Sequence, residues 1–161
     1  MRTATFKHML SFVILSLIAG VLQPAVADGI SESDVTGLVE QTVEALKADA
    51  AGTIEKINSA EHPYSNKDNG ALYVFVYDKN VNMVAHPKKH LVGRNYKGKP
   101  DVRGKKFRDD IVSTAVDSGK GWVDYSYQKP GETGIHPKTT YCMLVQGSDG
   151  KAYIVCSGKY K

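Results

Sequence analysis

Chemically useful side chains gather between Gly121 and Val145, GWVDYSYQKPGETGIHPKTTYCMLV. Trp122, Tyr125, Tyr127 and Tyr141 join large apolar faces to polar tips, the composition of a ligand-lining wall in which a few polar groups fix orientation. Taken alone, Trp122, Tyr125 and Tyr141 read as core at strand spacing. Lys138 follows Pro137 at a strand start among these aromatics, where an ammonium would meet a carboxylate. On composition it reads as a surface lysine with a buried stem. His86, taken alone, reads as a hydrogen-bonded histidine at a strand end.

Enzyme and metal signatures fail on spacing. The run from Gly98 to Gly104 comes nearest to a phosphate loop, but its glycines stand one residue too far apart and Lys105 is followed by Lys106 instead of Ser or Thr. His86 and His90 are four apart with Pro87 between them and no glutamate after His86, so the helical zinc pair of a metalloprotease cannot form. No haem-attachment motif is present, and no cofactor is implied. The chain is read as a non-enzyme, with a cysteine nucleophile assembled in space as the one catalytic route left open.

Arg2 and Lys7 precede an apolar run from Met9 to Leu22, then Pro24 and Ala25-Val26-Ala27. The run is shorter than the roughly 18 to 20 residues of a membrane span, and the small residues suit cleavage after Ala27, so residues 1–27 read as a signal peptide; the alternative is a retained anchor. Cleavage leaves 19 basic and 17 acidic side chains, a charge of +2 that points to no nucleic-acid partner. Residues 28–161 then form one domain, periplasmic or secreted, with no stable membrane anchor.

Val35, Leu38, Val39, Val43, Leu46, Ile54 and Ile57 recur at helical spacing, which predicts one long amphipathic helix, capped by Ser31 or Ser33 and loosened near Gly52. Residues 59–70 read as a loop. Residues 71–78, ALYVFVYD, are apolar on both alternating sets and predict a central strand, with a hairpin partner over 81–86. Between Lys88 and Arg108 nine basic residues face only Asp101, a solvated basic loop or a patch for an anionic surface. A short helix is expected over 104–117, then strands over 122–127, 138–146 and 152–157. The fold class is α+β: an antiparallel sheet with a long N-terminal helix and a short helix between strands 2 and 3.

If Gln146 pairs with Ala152, Cys142 and Cys156 fall opposite each other and export favours a cross-strand disulfide; a register one residue shorter puts them on opposite faces.

Tyr73-Val-Phe-Val-Tyr-Asp78, Ala85-His-Pro87, Val92-Gly93, the 104–107 segment, Gly121-Trp-Val-Asp-Tyr125, Pro137-Lys-Thr-Thr-Tyr141 and Ser157-Gly-Lys-Tyr160 follow one another in an order and spacing that resembles the single Cache domain, type two. The resemblance covers nearly all of the chain from the long helix onward. It implies a PAS-like sheet and an extracytoplasmic sensor of the kind carried by bacterial chemoreceptors and histidine kinases, receiving small organic acids. It also implies that Lys138 and His86 contact ligand, with Tyr73, Phe75, Trp122, Tyr125 and Tyr141 around it. Where the family commonly has an aliphatic residue, Lys159 stands here. The chain runs to Lys161 just past the last block, so the expectation is a free-standing domain that binds a small monocarboxylate and is read by a membrane receptor or kinase. The competing expectation is an interaction module docking through residues 88–108 on an acidic partner or anionic lipid.

Overall fold

The computed structural model describes residues 29–68 and 70–161; the leader expected over 1–27 lies outside them. Helix α1 (Glu32–Ala48) starts on a capping box in which the Ser31 hydroxyl accepts from the Asp34 amide while the Asp34 carboxylate accepts from the Ser31 amide. Its apolar stripe lies across the sheet.

The single long helix expected from periodicity is two helices. Asp49 drops into an extended conformation, ends α1 and caps α2 (Ala50–Asn58) by accepting from the Gly52 amide at 3.0 Å. Tertiary contacts stabilise the break. Ala50 donates to the Ser148 hydroxyl and Ser148 donates to the Leu46 carbonyl, so groups freed at the junction are met by a distant turn. Gly52 is not the weak point but the recipient of the cap.

Five strands follow: β1 (Val74–Tyr77), β2 (Met83–Ala85), β3 (Lys120–Tyr127), β4 (His136–Gln146) and β5 (Ala152–Tyr160), with α3 (Phe107–Ser118) between β2 and β3. They form one antiparallel sheet in the order β2-β1-β5-β4-β3. The β1–β2 turn is held by Asp78, whose carboxylate accepts from the amides of Asn80 and Asn82 while Val81 takes a left-handed φ of 62°. The sheet is covered on both faces. Val74, Val76, Tyr141, Val145, Tyr153 and Val155 face the N-terminal helices. Tyr73, Phe75, Tyr77, Tyr125, Cys142 and Cys156 face α3 and the loop before it.

Gln146 does pair with Ala152, and Cys142 stands opposite Cys156. Ladder bonds from Gly147 to Lys151 and from Lys161 to Pro137 make the odd-numbered positions of β4 the hydrogen-bonded ones, so the cysteines form a non-hydrogen-bonded pair. The expected disulfide is not formed. Both cysteines are buried free thiols, Cys142 donating to the carbonyls of Ile111 and Gly121 and Cys156 to that of Ile154.

Asp49→Ala removes the α2 cap while leaving the core untouched, and is expected to cost about 1 kcal/mol, seen as a lower urea midpoint at unchanged slope. No change in the midpoint would mean that the Ser148 contacts alone hold the junction.

Candidate functional site

The face of the sheet toward α3 carries a lysine where a core residue is expected. Strand period places Lys138 level with Tyr125 on β3 and Tyr160 on β5, and its side chain is 1% exposed. Its Nζ donates to the Tyr73 hydroxyl at 3.0 Å and lies over the rings of Tyr73 (4.5 Å), Tyr160 (4.9 Å), Phe75 (5.9 Å) and Tyr127 (5.9 Å). Aromatic faces soften the cost of burying an ammonium but supply no counter-charge. Among the described residues no carboxylate pairs with it. Burial therefore pulls its pKa down to about 7.

Gly158 makes room for the lysine stem. A Cβ there would come within 2.4 Å of the Thr140 hydroxyl and 3.0 Å of Lys138 Cε. Thr140 is itself engaged, sharing a 2.9 Å hydrogen bond with the Tyr125 hydroxyl, and the Tyr125 ring stacks on Phe107 at 4.0 Å.

Against this cage lies a cavity of about 20 Å³, room for one or two waters, so any larger occupant has to widen it on entry. Tyr73 lines it from just before β1, Phe75, Tyr77 and Met83 from β1 and β2, and Phe107, Arg108, Tyr125 and Tyr127 from α3 and β3. His86, Leu91 and Tyr96 close it from the segment after β2. Lys138 does not itself line the cavity; it is bonded to the hydroxyl of Tyr73, which does.

His86 is pinned at both ends. Its amide donates to Asn58 Oδ1, and its ring Nδ1 accepts from the Lys88 amide, so the neutral ring carries its proton on Nε2 as a donor. Burial, then the positive charges of Lys138, Lys88 and His90, hold its pKa down to about 3. Tyr73 is pushed up to about 12 by burial, and Tyr125 and Tyr127 are raised for the same reason, so all three phenols keep their protons. The site sets neutral donors beside two cationic side chains, Lys138 and Arg108, an arrangement suited to holding an anion.

Five of the sequence-designated residues meet here: Tyr73, Phe75, His86, Tyr125 and Lys138. Trp122 and Tyr141 do not. They are register partners with rings 5.2 Å apart on the opposite face, Tyr141 in the core under α1 and Trp122 36% exposed. Side chains three apart on a strand cannot share a face, so Trp122 and Tyr125, or Lys138 and Tyr141, could never have lined one wall. Arg108 and Tyr96 were not singled out from sequence as site residues. The available signal was an arginine in the first turn of a helix, where the dipole disfavours a cation.

The family model for the single Cache domain 2 matches residues 2–160. This chain belongs to that family. A solved structure described as the periplasmic sensor domain of a chemotaxis protein is similar at 31% identity and TM-score 0.58, covering 78% of this chain and 86% of its own. Two others share the fold. One, described as showing the structural basis for carboxylic acid recognition by a Cache chemosensory domain, has 22% identity and TM-score 0.62 over 80% of this chain and 91% of its own. The second is a methyl-accepting chemotaxis protein from Vibrio parahaemolyticus, at 18% identity and TM-score 0.63 over 80% of this chain and 86% of its own. Cache domains are extracytoplasmic, ligand-binding sensor modules of chemoreceptors rather than enzymes. Among the described residues no helix is long and apolar enough to cross a membrane.

The two depressed pKa values give this Cache domain a signed pH dependence. His86 takes up a proton near pH 6.5 when unfolded but only near 3 when folded, so stability falls as pH drops below about 6.5. Lys138 is neutral in the folded protein above about pH 7 while the unfolded chain stays charged toward 10.5, so stability climbs as pH rises from 7. Melting temperatures of the ligand-free protein between pH 7 and 9.5 should rise, and Lys138→Met should raise stability at pH 6 and abolish the climb. A climb that persists in Lys138→Met would locate it elsewhere.

Proposed function

We propose that this Cache domain is an exported sensor that binds a small carboxylate at the cavity in front of Lys138. The observation that carries the reading is a fully buried ammonium with no carboxylate beside it among the described residues. Such a group costs several kcal/mol unless an opposite charge arrives, and an anionic ligand would supply it. The Tyr73 hydroxyl and His86 Nε2–H would donate hydrogen bonds to the anion, and a cavity that has to widen to admit a ligand favours an acid of two or three carbons such as acetate, propionate, lactate or pyruvate. The likeness to a Cache domain described with carboxylic acid recognition supports the same class. A membrane receptor or kinase would read out the binding.

The competing docking surface over residues 88–108 loses two of its nine charges to contacts within the fold. Arg108 turns inward onto Tyr96 and Phe107, and Lys105 is tied to the Asp124 carbonyl at 2.5 Å and to Asp110 at 3.7 Å.

Calorimetry with the four acids tests the site. Lys138→Ala should weaken binding by about 1.5–3 kcal/mol, ten- to a hundredfold. Equal binding by both proteins would remove Lys138 from the site, and preference for a neutral or cationic ligand would end the carboxylate reading. Export is read from the leader, and mass spectrometry of natively expressed protein should find an N-terminus at Asp28; an intact 1–27 in a membrane fraction would make it an anchored protein.

A further inference from the structure

We propose that residues 97–106 form a knuckle that docks the domain on an anionic phospholipid surface, with Val102 entering the headgroup layer inside a ring of Lys97, Lys99, Arg103 and Lys106. The knuckle adds to the ligand site instead of replacing it, and does not depend on the carboxylate reading.

Charge on this chain is divided by place. Residues 88–108 hold nine basic side chains and one acidic one, while the rest of residues 28–161 hold ten basic and sixteen acidic. A domain polarised in this way is turned by the field of a negative surface until its basic segment faces it. Lys97, Lys99, Arg103 and Lys106 are all exposed, and none forms an ion pair among the described residues. The single acid of the segment is turned back into the loop. Asp101 Oδ1 accepts from the amides of Arg103 and Lys105, and Oδ2 from that of Ser126 on β3.

Those bonds also fix the shape of the loop. The Asp101 amide donates to the Lys105 carbonyl at 2.8 Å and the Gly104 amide to the Asp101 carbonyl at 3.0 Å, closing a turn with Val102 and Arg103 at its apex. The Gly98 amide, on the other side of the apex, donates to the Asp109 carboxylate. Val102 is therefore held out by a braced turn, 72% exposed. One valine in water means little by itself. Here Ile135, 38% exposed, lies close by: the two line one groove with Pro100. Two aliphatic side chains among unpaired cations fit the boundary between lipid headgroups and acyl chains, where the cations meet phosphate and the aliphatics leave water. An acidic protein would use the charges but has no call for an aliphatic residue at the apex of a projecting turn. The inner side of the same segment closes the cavity through Leu91, Tyr96 and Phe107, so docking would hold the cavity beside a membrane-bound reader.

Sedimentation of the leaderless protein with vesicles tests the knuckle, using equal parts phosphatidylglycerol and phosphatidylcholine against phosphatidylcholine alone. The wild type should bind only the anionic vesicles and be released as salt rises from about 50 to 500 mM. Lys97→Gln and Lys99→Gln should each weaken binding about fivefold, and Val102→Asp by about tenfold or more; all three positions are exposed, so folding should be unaffected. Val102→Trp should show a blue-shifted emission with anionic vesicles that Trp122 in the wild type does not. No binding to the anionic vesicles overturns the proposal, as does binding that the three substitutions leave unchanged. Equal affinity for soluble polyglutamate, with no emission shift in Val102→Trp, replaces the lipid by an acidic protein partner. None of these outcomes involves an organic acid, so the reading of Lys138 stands or falls separately.

Discussion

Burying the Lys138 ammonium is the constraint around which the α3-facing side of this sheet is arranged. A lysine at a core position of an antiparallel sheet would ordinarily cost more than a hydrophobic residue of its volume. Here the cost is reduced without being cancelled: the Tyr73 hydroxyl accepts one hydrogen bond, four aromatic rings surround the charge, and Gly158 leaves the space the stem occupies. None of these supplies a negative charge. Burial lowers the lysine pKa, and burial first and the Lys138 charge second keep His86 neutral; on the proposed reading an entering anion would complete the site.

The division of labour between the sheet faces follows from that. The face under α1 is packed with Val, Leu and Ile side chains, together with Tyr141 and Tyr153, and carries the stability of the domain. The face toward α3 holds the cavity, the buried cation and most of the hydroxyls, groups that specify a ligand at some expense in stability. Helix α1 packs on β4 and β5, which also carry Lys138 and Tyr160 on the reverse side. A ligand that drew Lys138 forward would therefore pull on strands that the N-terminal helix contacts directly.

Much of the fold was legible because its signals were local. The helical stripe from Val35, the doubly apolar run at Val74–Tyr77 and the turn after Gln146 each point to one element, and the cysteine register came out as pattern and turn length required. The break at Asp49 was hidden because it depends on Ser148, some hundred residues away. The site was half legible. Lys138 and His86 came from the family resemblance, while Trp122 and Tyr141 were misplaced by treating aromatic density as a wall without applying the two-residue period that sends them to the other face. Tyr96 and Arg108 sit in a basic loop and at a helix start, where nothing periodic marks a side chain that turns inward.

The ionisation of Lys138 can be read directly. Titration of its side-chain Cε and Nζ resonances by NMR, with and without a saturating small carboxylate, should give a pKa near 7 in the free protein and an upward shift in the complex, because the bound anion restores the charged form. An ordinary lysine pKa in the free protein that a carboxylate leaves unmoved would contradict the account, since the ammonium would then be neither desolvated nor paired with the ligand.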